Sequence, residues 1–160
     1  MRGERLAGFI YGTIVVLSAV IAGAKAFPNG MGHVAALVLV TAAVFYLAHV
    51  YAHALGHSAQ SGQHLSFSAV KHIAWQEASL IGAAIPPVLM LVLGEIGVLS
   101  PKVAVWAAIG VGLAVLALQG VVFARIEKLG VLSAILVVAL NLSLGVVLIL
   151  LKVLVTSHHG

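Results

Sequence analysis

Three histidines stand at four-residue intervals in "FYLAHVYAHALGH", which begins at Phe45: His49, His53 and His57. Each four-residue step on an α-helix turns by about 400°, so the three imidazoles fall within about 80° of arc. Two histidines spaced this way can share a metal ion. Neutral imidazole can also pass a proton between its two nitrogens near neutral pH. A second group follows in the next apolar stretch, where His72, Gln76 and Glu77 lie close together. Glu77 is one of four acids, the others being Glu4, Glu95 and Glu127, and there is no aspartate. Histidines and a carboxylate on neighbouring helices can relay protons or hold a cation, and His49, His53 and Glu77 would be the ligands of a divalent metal.

Other chemistries are excluded by what is missing. There is no cysteine, so disulfides, thiolate metal sites and thiol nucleophiles are ruled out. Without aspartate there is no Ser-His-Asp triad, and neither a G-x-S-x-G elbow nor a Walker-type glycine loop is present. The sequence therefore reads as a non-enzyme. A bis-histidine haem across two helices is disfavoured, because deep histidines come from one stretch alone. "HVYAH" looks like the H-x-x-x-H box of membrane di-iron hydroxylases and desaturases. Their H-x-x-H-H boxes are absent, so membership of that family does not follow.

The elements that carry these residues are apolar. The chain has 160 residues, 62% hydrophobic and 8% charged, with a mean hydropathy of +1.21. Soluble domains carry about 25% charged residues. So few charges cannot cover a water-facing surface, and lipid is the natural solvent. About 20 apolar residues carry a helix across the hydrocarbon layer. Five runs meet that length, over 6–24, 33–55, 73–93, 103–123 and 131–155. Open strands would leave backbone groups unpaired in lipid, so the runs read as helices. The expected fold is an all-α, polytopic integral membrane bundle: one transmembrane domain over 1–160 with five transmembrane helices. The first run exceeds the apolar core of a signal peptide and reads as a span. Five helices make a thin bundle, with which a homo-oligomer is compatible.

Short connections separate the runs: "FPNGMG" at Phe27, "GHSAQSGQHLSFSAVK" at Gly56, "GEIGVLSPK" at Gly94 and "ARIEKLG" at Ala124. The eight Lys and Arg residues are scattered over them, which fits membrane orientation and not nucleic-acid binding. With the N-terminus in the cytoplasm, Arg2, Arg5, Lys71, Arg125 and Lys128 lie inside, and Lys25, Lys102 and Lys152 outside. The bias places the chain in the cell membrane with its C-terminus outside. Trp75 and Trp106 read as interfacial anchors, and Glu95 as a solvated turn residue. Gly8 and Gly12 form a G-x-x-x-G pair, which allows close helix approach. Pro86 and Pro87 in "IGAAIPPVLM" predict a kink that frees the carbonyls of Gly82 and Ala83.

Depth groups the polar residues. Taking the inner boundary near Ala59 and Ser68 puts His49 and Glu77 about 14 Å deep, with His53 and His72 shallower. Asn141 falls about 15 Å deep on the fifth run, and Gln119 about 7 Å on the fourth. The expected site is therefore an inner-side relay of His49, His53, Glu77, Asn141, His57, His72 and Gln76. Its stripe of histidines faces the bundle interior or an aqueous vestibule. Transport or conduction of a small ion or proton is the first reading. A structural or partner-binding subunit, and a metal or haem protein, are the alternatives.

Overall fold

The computed structural model describes residues 2–61 and 66–157, with the side chains of all of these except 2–7, 61, 144, 148, 149 and 151–157. The chain forms six helices: α1 (Arg2–Ala26), α2 (Met31–Ser61), α3 (Phe67–Gly82), α4 (Ile85–Glu95), α5 (Pro101–Ile126) and α6 (Val131–Ser157). No strand occurs among the described residues. Three helices are long and apolar enough to cross a membrane, over Gly8–Ala26, Met31–Gln60 and Pro101–Ile126. The α3–α4 pair, bent by 46°, brings the number to four if it is one span. The fifth expected span falls on α6, where the apolar helix with described side chains covers Val131–Val147. Five crossings are thus an expectation that reaches beyond the described side chains.

The break between α3 and α4 lies where the proline pair predicts it. Pro86 and Pro87 sit in the first turn of α4, where a missing N–H costs least. Ala83 and Ala84 carry the chain across the bend, with the Ala84 N–H donating to Ile81 O at 2.9 Å. Despite the bend, α3 and α4 both run antiparallel beside α2. Gly32 meets Glu95 at one end of that seam. Val50 and Ala54 pack with Ile73 at the other.

The connection between α2 and α3 is shorter at both ends than the sequence suggests. The polar stretch 56–61 continues α2 as helix instead of opening a loop. α3 starts at Phe67, where the Ser66 Oγ accepts the Ala69 N–H at 3.2 Å as an N-cap. Intrahelical hydrogen bonds are satisfied with or without apolar side chains, so hydropathy marked the membrane-compatible part of α2 and not its end.

α1 is the hub, packing on α2, α3, α5 and α6. Val16, Val20, Val34, Val38, Leu91 and Leu116 form the sealed centre of the bundle. Small residues set the spacing. A Cβ on Gly12 would lie 2.9 Å from the Leu80 carbonyl oxygen, and one on Gly112 would lie 2.5 Å from Leu17. The G-x-x-x-G pair of α1 thus serves contact with α3 inside one chain. Outward faces are apolar as well: Val40, Val44, Leu47 and Tyr51 of α2 are exposed. Apolar outside and apolar inside is the pattern of helices solvated by lipid.

Candidate functional site

His49, His53 and Glu77 meet across the α2–α3 seam. Their ligating atoms all lie within 4.8 Å of one another. The Nδ1 of His53 is 2.7 Å from one oxygen of Glu77, and the Nε2 of His49 is 4.0 Å from the other. The two rings lie 4.8 Å apart, as the i, i+4 spacing requires. The shorter contact goes to His53, whereas the depth estimate pairs Glu77 with His49.

Helix geometry places each group. Glu77 shares the inward face of α3 with Ile73 and Leu80, all three buried. Its neighbour across the seam is α1, where the glycine face opens room: a Cβ on Gly8 would lie 3.6 Å from Glu77 Oε2 and 3.2 Å from Ser79 Oγ. The buried Ser79 Oγ has no hydrogen-bond partner among the described residues. The Tyr46 hydroxyl donates to Ala74 O at 3.0 Å, fastening α2 to α3 one turn away. Tyr11, Phe45 and His49 form a run of rings, with Tyr11 and Phe45 5.1 Å apart and Phe45 and His49 5.6 Å apart. This run fixes the His49 ring from the α1 side.

The carboxylate is sheltered, but the imidazoles are not. The Glu77 side chain is 10% exposed, His49 32% and His53 55%. The histidine stripe therefore lines the rim of the α2–α3 seam instead of facing the bundle interior. Interior positions on α2 go to Val50 and Ala54, and the histidines sit beside them. Depth changes too. From the Gly32–Glu95 end, His49 lies 17 residues along α2 and Glu77 18 residues along α4 and α3. These separations correspond to about 26 and 27 Å. A hydrocarbon layer about 30 Å thick that starts at that end has its other boundary close to the cluster. The cluster lies on the half of the seam next to the polar connection between α2 and α3.

The other expected members are elsewhere. His57 lies one turn beyond His53 on α2, exposed and outside the cluster. His72 and Gln76 are on another side of α3, lining a surface groove with Lys71 and Trp75. His72 precedes Glu77 by five residues, which turns it about 140° away. Asn141 is held at the α5–α6 contact, where its Nδ2 lies 3.2 Å from the position of a Gly120 Cβ. Its Nδ2 and the Oε1 of buried Gln119 have no hydrogen-bond partner among the described residues. His64, His158 and His159 lie outside the described residues.

One polar residue has a role that sequence reading missed. Glu95, expected as a solvated turn residue, accepts the Gly32 N–H at 2.5 Å. Gly32 is in the first turn of α2, whose N–H groups lack helical partners and carry the positive end of the helix dipole. A Cβ on Gly32 would lie 3.0 Å from the Glu95 carboxyl carbon, so the glycine admits the acid. The signal available in the sequence was a lone acid at one connection and a glycine at the start of a helix across the bundle.

No protein family, curated protein or solved structure matches the chain. Its apolar helices suggest a membrane protein, and the His49–His53–Glu77 group could hold a metal ion. Both statements come from this chain's own residues.

Proposed function

We propose that this chain is a five-span membrane protein of transport- or channel-like function, whose His49–His53–Glu77 site takes a divalent cation at the membrane margin. The observation that carries this reading is the convergence of two imidazoles and one buried carboxylate, from two helices, within 4.8 Å. Zinc bonds to nitrogen and oxygen are near 2.1 Å, so tetrahedral ligand atoms stand about 3.4 Å apart. The 2.7 Å and 4.0 Å separations lie on either side of that value. Three protein ligands leave a fourth position, and the exposed side of His53 supplies an approach to it. Water or a passing ligand would fill it.

Location supports exchange of the ion over permanent storage. A structural metal is enclosed by its ligands, whereas two of these three are on an open rim. A carboxylate in the apolar margin attracts a cation from the adjoining aqueous phase. Both features suit a site that loads and unloads.

A proton is the second reading, favoured by the 2.7 Å contact between His53 and Glu77. Imidazole and carboxylate at that distance share or exchange a proton directly.

Purified protein with Zn²⁺ or Co²⁺ added tests the first reading. The expected result is a rise in melting temperature with metal, and tetrahedral Co²⁺ absorption bands, both lost in Glu77→Gln. A ligand at 100 times its Kd stabilises by about 2.7 kcal/mol, which thermal unfolding resolves. Equal melting of wild type and Glu77→Gln at all metal concentrations rejects the cation site. Vesicles carrying a pH dye test the second: proton flux that survives His53→Ala and Glu77→Gln rejects the relay. Flux of Zn²⁺ into vesicles, absent in Glu77→Gln, is expected for transport.

A further inference from the structure

The turn between α5 and α6 closes over an apolar groove of about 680 Å³. Its walls include Val121 and Ala124 of α5 and Ala134, Ile135, Val138 and Leu142 of α6. Arg125 and Lys128 stand in its lining at the turn, and no acidic side chain lines it. Both cations are exposed, and neither has an ion-pair partner among the described residues; Glu127 between them is exposed and does not line the groove. The size is that of a pocket for a small organic ligand.

Lys128 is held there at a conformational cost. It has φ +50°, the left-handed region that favours glycine. The Leu129 N–H donates to Ala124 O at 2.9 Å and the Lys128 N–H to Arg125 O at 3.3 Å, the two bonds of a Schellman helix end. Glycine is the usual residue at the position Lys128 occupies, and Gly130 is two residues away. A side chain with an amine is thus kept at a place where a hydrogen would be less strained. The turn folds back over the end of α5 and sets Lys128 beside Arg125.

We infer that this groove binds one anionic phospholipid, with an acyl chain along the walls between α5 and α6 and the phosphate between Arg125 and Lys128. Charge complementarity selects the occupant. Two exposed cations at the mouth match a net-negative headgroup, and a zwitterionic headgroup would bring its own cation against them. The apolar walls match a hydrocarbon tail and offer nothing to a soluble phosphate. The groove shares no residue with the His49–His53–Glu77 cluster and stands independently of the cation reading.

The full-length protein in mild detergent is given equal amounts of phosphatidylglycerol and phosphatidylcholine with identical chains. Retained lipid is counted by native mass spectrometry. The wild type is expected to keep phosphatidylglycerol over phosphatidylcholine by severalfold. Arg125→Gln with Lys128→Gln should bring the ratio to about one, and Ala134→Phe, which fills the groove, should lower total retention. Lys128→Gly separates lipid binding from folding: its melting temperature should hold or rise while the preference falls. Equal retention of both lipids by the wild type, or an unchanged preference in the double variant or in Lys128→Gly, overturns the assignment.

Discussion

Two helix contacts in this molecule use the same device and reach different ends. At the α1–α3 contact, glycine lets a helix carrying Glu77 come close; at the α5–α6 contact, Gly120 lets a helix carrying Asn141 come close. The first polar group meets imidazoles from a third helix. The second faces Gly120, and its Nδ2 and the Gln119 Oε1 are both unbonded among the described residues. Polarity inside an apolar bundle therefore does not make a site. A site needs complementary groups from another helix, turned to the same seam at the same height. The α2–α3 seam meets that condition and the α5–α6 seam does not.

Breaking the close approach should have the largest effect. Gly12→Leu drives a side chain into the Leu80 backbone, and a loss of about 3 kcal/mol is expected, read as denaturant unfolding in detergent. If Gly12→Leu folds as stably as wild type, α1 does not pack on α3 through its glycine face. His53→Ala ranks next. It leaves the buried Glu77 without its nearest partner, at a cost of about 2 kcal/mol, and Glu77→Gln made with it should recover part of that loss. Additive losses in that cycle would mean the two groups do not interact.

Glu95→Ala tests a carboxylate that serves a helix end at the other extreme of the same seam. Losing a capping acceptor at a dipole terminus costs about 1 kcal/mol. The melting temperature should fall while metal binding is kept, and a loss of metal binding would show that the two ends of the seam are coupled. The smallest effect is expected at the α5–α6 contact. Gln119→Leu removes an unpaired acceptor and should leave stability within about 1 kcal/mol, shifted upward if at all. A large loss there would mean that Gln119 is bonded in the membrane, and the contrast between the two seams would disappear.

The helical membrane character was legible because hydropathy is a bulk property. The proline break was legible because a missing N–H acts locally, whatever surrounds it. The meeting of His49, His53 and Glu77 could be read from spacing, since adjacent antiparallel helices bring equal heights together. What failed was direction around the helix axis. Asn141 belongs to the α5–α6 contact, Gln76 lines a surface groove of α3, and His72 shares the helix of Glu77 and not its face. Height comes from counting residues, whereas facing depends on which neighbours a helix packs against. Glu95 was missed for a related reason: its partner is a backbone N–H, and every residue but proline has one. Spacing left open whether the histidine stripe faces the interior or an aqueous vestibule, and the exposed rims of His49 and His53 favour the second.

The two acids of the α3–α4 segment also act together as a register lock. Glu95 is fastened to the start of α2 and Glu77 lies against its later turns, so the long antiparallel pair is riveted near both extremities. Sliding one helix past the other by a single turn, about 5.4 Å, would pull both rivets at once. A rigid slide cannot release one while the other holds, and the bend between α3 and α4 must take up any motion confined to one half.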